Sequence, residues 1–216
     1  MFNETDFFDF ILNNDLLKFG EYTLASGRTS HFKVDWEKIL TTKRTLDYVV
    51  NCVITKVEDL HLKPDVFIGV PDGVTQLGVA TQLKWSENRA PDLVVTSRRD
   101  KPGYVGDLSC LKGTGTGIYL EDTVTTGGTL LRELDKAKAH RLNIVGVIAL
   151  TDRMQLTDEG EYVKDVMEER GITYARLSSA PSLLVGAYAK GPINDEMAGK
   201  IQAEYSHLRE GWLLGK

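Results

Sequence analysis

A chain of 216 residues is long enough for one substantial core, with room for a small appended subdomain. Its 42% hydrophobic and 26% charged residues are ordinary for a soluble globular protein, and a net charge of −5 argues against nucleic-acid binding. No apolar run reaches membrane-spanning length, the start Met-Phe-Asn-Glu-Thr-Asp lacks a signal peptide's basic region, and two cysteines make no disulfide framework. A cytoplasmic protein with reduced thiols is expected. The four histidines are scattered without metal-ligand spacing.

Residues 4–18 show helical spacing, with Phe7, Phe8, Ile11, Leu12 and Leu16 on one stripe. Residues 21–24 and 31–34 read as short strands around the turn Ser26-Gly27-Arg28. Helical spacing returns over 43–58. A strand–helix alternation then begins: strand 65–70, helix 75–83, strand 93–96, and a long polar loop over 98–116. After it come strand 117–120, a helix carrying Leu130, Leu131, Leu134 and Ala137, strand 144–151, helix 158–170 and strand 173–177. A helix over 192–206 precedes Trp212, Leu213 and Leu214. Such alternation predicts an α/β fold, a mainly parallel sheet flanked by helices, in which ligands bind beyond the carboxyl ends of the strands. One domain over 1–216 is expected, with residues 1–40 as an N-terminal elaboration.

The most telling stretch is residues 118–129, Ile-Tyr-Leu-Glu-Asp-Thr-Val-Thr-Thr-Gly-Gly-Thr. A buried strand delivers two acids, then a hydroxyl- and glycine-rich turn, then a helix. Gly127 and Gly128 let the backbone approach a phosphate, and the helix N-terminus aims unpaired N–H groups and a positive dipole at it. Thr125, Thr126 and Thr129 add hydroxyls. Glu121 and Asp122 suit ribose hydroxyls or a hydrated Mg²⁺, which takes few carboxylates and keeps several waters. The stretch is neither a Walker loop nor a dinucleotide fingerprint. An ordinary strand-to-helix turn is the alternative, although acids rarely end a buried strand without a task.

This string resembles the phosphoribosyl-pyrophosphate (PRPP) signature of type I phosphoribosyltransferases. Two further segments resemble orotate phosphoribosyltransferases in particular. Residues 17–30, Leu-Lys-Phe-Gly-Glu-Tyr-Thr-Leu-Ala-Ser-Gly-Arg-Thr-Ser, are similar to that family's Phe-Gly-x-Phe-Thr-Leu-Lys-Ser-Gly-Arg-x-Ser pattern, and residues 149–153, Ala-Leu-Thr-Asp-Arg, to its apolar-Asp-Arg segment. The resemblance implies an Mg²⁺-dependent transfer of phosphoribosyl from PRPP to orotate, in a homodimer. It places PRPP on Glu121, Asp122, Thr123, Val124, Thr125, Thr126, Gly127, Gly128 and Thr129, with Asp72 and Gly73 in the pyrophosphate loop. Arg98, Arg99 and Lys101 belong to a loop that closes over PRPP. Asp122, Arg99 and Lys101 are the expected catalytic residues, with Mg²⁺ reached from Glu121 and Asp122 through water. Thr125 and Arg153 would hold the base, the guanidinium matching orotate's carboxylate. An ion pair of Arg153 with Asp152 or Glu159 is the bland alternative, as a solvated surface loop is for 98–116.

Three departures remove positive charge or a proton carrier. The family's lysine in Leu-Lys-Ser-Gly-Arg is Ala25, its pyrophosphate-loop lysine falls on Asp72, and its loop His-Gly is replaced around Gly103-Tyr104. Lys33 or Lys18 would restore one cation, and Lys33 is the one assigned to the base site. Two other readings stay open on these grounds: a transferase for another base, and a PRPP- or nucleotide-binding regulator without turnover.

Overall fold

The protein is described by a computed structural model covering residues 1–24, 26–37, 39–71, 73–87, 115–139, 141–191, 193–208 and 212–213. The elements in chain order are α1 (Glu4–Asn13), β1 (Leu17–Thr23), β2 (Thr29–Val34), a 3-10 turn (Ile39–Thr41), α2 (Lys43–Asp59), β3 (Val66–Gly69) and α3 (Thr75–Ser86). They continue as β4 (Thr116–Val124), α4 (Gly128–Ala139), β5 (Asn143–Asp152), α5 (Val163–Glu169), β6 (Thr173–Ser179), α6 (Ala180–Lys190) and α7 (Asp195–Ala203).

Strands β3 to β6 form one parallel sheet in the order β3-β4-β5-β6. Their sequences are near-continuous apolar runs because both faces are covered: every residue of β3 is buried, as are the last seven of β5. Helix α3 packs on β3, α4 on β5, and α1, α5 and α6 on β6. The register pairs Gly69 with Leu120, Val124 with Asp152, and Asp152 with Ser179, so the carboxyl ends of the strands share one edge. The expected α/β sheet is thus present.

Ahead of the sheet, β1 and β2 pair as a separate antiparallel hairpin. Trp36 fastens this N-terminal part to the sheet. Its ring stacks on Phe7 at 5.7 Å, and its buried indole N–H donates to Thr151 Oγ1 at 3.1 Å. Thr151 in turn lies 3.0 Å from Ser178 Oγ, which donates to the Leu150 carbonyl. A buried polar group without a partner is costly, so this chain of bonds specifies how the hairpin region docks.

Several boundaries differ from expectation. The first helix stops at Asn13 rather than 18, because Asp15 takes a positive φ of 54° and Leu16 then enters the core ahead of a strand. The helix expected over 158–170 begins only at Val163; Gly160 at φ 87° makes a turn closed by a bridge between Leu156 and Tyr162. The helix expected over 192–206 is α7, capped by Asn194, whose side chain accepts from Met197 N–H. Helix α6 was not expected. It follows β6 without a loop, and its signals are a capping Ser179 and Pro181 in the first turn. Strand 93–96 lies outside the described residues, as does loop 98–116 except for 115–116; Thr116 already belongs to β4.

Close backbone packing sets the β3–α3 connection. A Cβ on Gly78 would collide with the main-chain nitrogen of Gly69, and one on Gly69 with the Val74 carbonyl. Gly78→Ala is therefore expected to push α3 off the sheet and lower stability by about 1–3 kcal/mol, measured by urea unfolding.

Candidate active site

At the carboxyl edge of the sheet a cleft of about 390 Å³ opens. β4 runs on to Val124, so Glu121 and Asp122 sit within the strand's last turns rather than after it. Burial runs unbroken from Gly117 to Glu121 and gives way to half-buried Asp122 at the sheet's edge, and both acids line the cleft. Thr123, Val124, Thr125, Gly127, Gly128 and Thr129 line it as well. Thr126 belongs to the same turn but not to the lining. Gly127 has φ 76°, and a Cβ there would meet Val163 Cγ2 at 2.8 Å. A glycine is thus required at the bend that turns β4 into α4. Its carbonyl accepts from Leu131 N–H at 2.8 Å, which leaves the N–H groups of the first turn facing the cleft end of the helix.

Asp122 faces Gly73 across the cleft. A Cβ on Gly73 would stand 2.5 Å from Asp122 Oδ2, so the β3–α3 loop approaches only because position 73 carries no side chain. Asp122 Oδ1 accepts from Thr123 N–H at 2.6 Å. Desolvation pushes the Asp122 carboxyl above its ordinary value, a hydrogen bond with Glu121 and the Thr123 N–H oppose this, and Glu37 adds to it. Burial raises Asp152 too, against Met154 N–H at 2.7 Å and the Arg176 guanidinium at 3.6 Å. Asp122, which lines the cleft, is placed to gain from an incoming cation.

Lys33 and Arg153 bring positive charge to the same cleft. Lys33 lies 3.2 Å from Asp35 and over the Tyr22 ring, 42% exposed and within the cleft lining. Lys18, the other candidate cation, pairs with Asp15 and is absent from the lining. Arg153 is 1% exposed, with its guanidinium 3.9 Å from the centre of the Phe32 ring. It pairs with neither Asp152 nor Glu159. Its ion partner is Glu204, beyond α7, with Ser30 and the Phe32 carbonyl as further acceptors. Burial draws Arg153 below its ordinary value, while Tyr205 and Glu204 hold it up.

Of the described residues expected to share a site, all but Thr126 line this one cleft. Asp72, Arg98, Arg99 and Lys101 lie outside the described residues, as does Ala25. Three contributors were not expected: Ser30 and Glu204 around Arg153, and Glu37 on the wall near Asp122. Ser30 ended the quoted hairpin segment; Glu204, at the C-cap of α7, gave no signal, being one acid among several in the C-terminal segment.

A parallel sheet flanked by helices, with acids at a strand's end, a glycine turn into a helix N-terminus and a buried arginine beside them, has the architecture of the type I phosphoribosyltransferases. The comparisons agree. An orotate phosphoribosyltransferase from Bifidobacterium adolescentis is 30% identical over 186 residues, covering 76% of this chain and 77% of that protein. Among solved structures, orotate phosphoribosyltransferase from Francisella tularensis superposes with a TM-score of 0.66 at 21% identity, covering 92% of this chain and 96% of that one. Leishmania donovani UMP synthase superposes with a TM-score of 0.73 at 20% identity, covering 95% of this chain and 42% of that protein. No family model matches the chain. The chain belongs to the orotate phosphoribosyltransferase family.

Proposed function

We propose that the protein transfers the phosphoribosyl group of PRPP to orotate, giving orotidine 5′-monophosphate and pyrophosphate. The observation that carries this reading is the meeting of two walls in one cleft: the Glu121-Asp122 pair with its threonine–glycine turn, and Arg153 held against Phe32. In the reaction, the bond from ribose C1 to pyrophosphate breaks and one from C1 to the base nitrogen forms. Positive charge grows on C1 and negative charge on the leaving group, so positioning, electrostatics and exclusion of water do the work.

The 5′-phosphate belongs at the N-terminus of α4, between Thr125, Gly127, Gly128 and Thr129. Glu121 and Asp122 take the ribose hydroxyls, and their negative charge favours the developing cation at C1. Thr125 and Arg153 hold the base, with Lys33 nearby. The donor chemistry fits a hydrated divalent ion, since Asp122 is raised by desolvation and by Glu37 without a cation opposing it among the described residues. When bound, Mg²⁺ would sit by Glu121 and Asp122 and neutralise charge on pyrophosphate. Arg99 and Lys101 are assigned to the leaving pyrophosphate, and the protein to a homodimer in which their loop would reach the neighbouring site. A cytoplasmic location suits these substrates. Among the described residues no helix is long and apolar enough to cross a membrane.

A second reading has support of its own. Among the described residues, the cleft lining holds three carboxylates, Glu37, Glu121 and Asp122, and two cations, Lys33 and Arg153. That balance, with Ala25 and Asp72 where the family carries lysines, suits a PRPP-binding regulator without turnover. Orotate absorbance after adding Mg²⁺ and PRPP separates the two. Loss of absorbance that requires PRPP is expected; PRPP binding by calorimetry without any loss would favour the regulator.

A further inference from the structure

The guanidinium of Arg153 is already engaged from within the protein. Its Nη2 donates to Ser30 Oγ at 2.7 Å and to Glu204 Oε2 at 3.3 Å, and its Nη1 donates to the Phe32 carbonyl at 3.2 Å. Both edges of a guanidinium that can grip a carboxylate with two parallel protons include one Nη2 proton. Here both of those protons are committed. The Nε proton is buried without a partner among the described residues.

Of the two groups on Nη2, only Glu204 carries charge. Its side chain is 10% exposed, and its other oxygen accepts from the His31 backbone N–H at 2.7 Å and lies 3.0 Å from His31 Nδ1. A carboxylate fixed in this way holds the Arg153 Nη2 that an acidic base would draw on, and it repels a second negative charge. Burial makes that repulsion much stronger than it would be in water. Ser30, being neutral, contributes only a hydrogen bond.

We propose that Glu204 is a specificity-determining residue: it competes with the carboxylate of an acidic base for Arg153, and so sets how strongly the cleft prefers that base over the same ring without a carboxylate. The proposal rests on the orotate reading above. Glu204 follows a helix far in sequence from the substrate segments, and it acts through Arg153 without needing to touch substrate.

The test compares two nucleotides that differ only in the carboxylate, orotidine 5′-monophosphate and uridine 5′-monophosphate, titrated by calorimetry into the full chain. Glu204→Gln keeps the shape and an acceptor for Nη2 while removing the charge. The affinity ratio of the acidic to the neutral nucleotide is expected to rise on the order of tenfold, with uridine 5′-monophosphate binding unchanged. A merely structural role would weaken both nucleotides alike. A ratio that is unchanged or falls, in a wild-type protein that binds both, overturns the role of Glu204 and leaves the orotate reading intact. A wild-type protein that binds neither overturns the orotate reading, and the proposal with it. If the variant does not fold, a crystal structure of the wild-type protein with orotidine 5′-monophosphate decides. Nη2 turned from Glu204 to the nucleotide carboxylate supports the proposal; an intact Arg153–Glu204 pair overturns it.

Discussion

Asp122→Asn is expected to cut kcat/KM for PRPP by at least about 100-fold while raising the melting temperature of the protein without ligand. The two effects share one cause. Asp122 is held above its ordinary value by desolvation and by Glu37, so its charge is unfavourable in the empty cleft and favourable only beside a cationic partner. The sign of the pH dependence follows. Between the unfolded carboxyl's value and the higher folded one, the native state binds more protons than the unfolded chain. Stability therefore falls as pH rises through that window. Asparagine removes that loss, so the two proteins should melt alike at acidic pH and diverge as pH rises, the variant being the more stable. Asp152 shifts the same way but is common to both and cancels in the difference. Calorimetric melting across pH, with PRPP kinetics beside it, checks both halves. Equal melting at neutral pH would show that Asp122 is not strained in the cleft, and unchanged kinetics would remove it from the site.

Arg153→Ala is expected to abolish orotate-dependent turnover and to destabilise the fold by about 3–5 kcal/mol, the range for breaking a buried ion pair from one side. The truncation leaves Glu204 without its guanidinium partner and the face of Phe32 uncovered, and takes one donor each from Ser30 Oγ and the Phe32 carbonyl, which keep their bonds to one another's residue. Arg153→Lys should recover part of the stability and little of the activity. A point charge satisfies Glu204, whereas an ammonium neither stacks flat on Phe32 nor offers paired protons to a carboxylate. Urea unfolding and orotate kinetics on the two variants separate these contributions. Wild-type turnover in the lysine variant would mean that charge alone is needed. Stability matching the wild type in the alanine variant would mean that the cluster contributes nothing to the fold.

The phosphate-binding half of the cleft was legible in the sequence because it is local. Twelve consecutive residues carry strand, acids, turn and helix start, and each part has a short-range cause: apolar continuity for β4, a positive φ for Gly127, helical spacing from Leu130 onward. The strand–helix alternation was readable for the same reason, since strands covered on both faces leave plain apolar runs. Helix α6 escaped because no loop separates it from β6, so the change of period had no punctuation.

The base-binding half depends on partners far apart in the chain. Sequence pattern marked Arg153 but assigned its alternative ion pair to neighbouring acids, whereas its partners are 121, 123 and 51 positions away. Likewise, the sequence offered both Lys18 and Lys33 as replacement cations, and assigned Lys33 to the base site without a local reason to separate the two. They are cross-strand neighbours, yet Lys18 turns to Asp15 and only Lys33 joins the cleft wall. The sequence by itself determined the parallel α/β sheet, the phosphate turn and the acidic pair, because these follow from periodicity and backbone requirements within short segments. Only the tertiary structure decided which groups surround Arg153, because partners 51 to 123 positions away leave no trace in local pattern until packing brings them together.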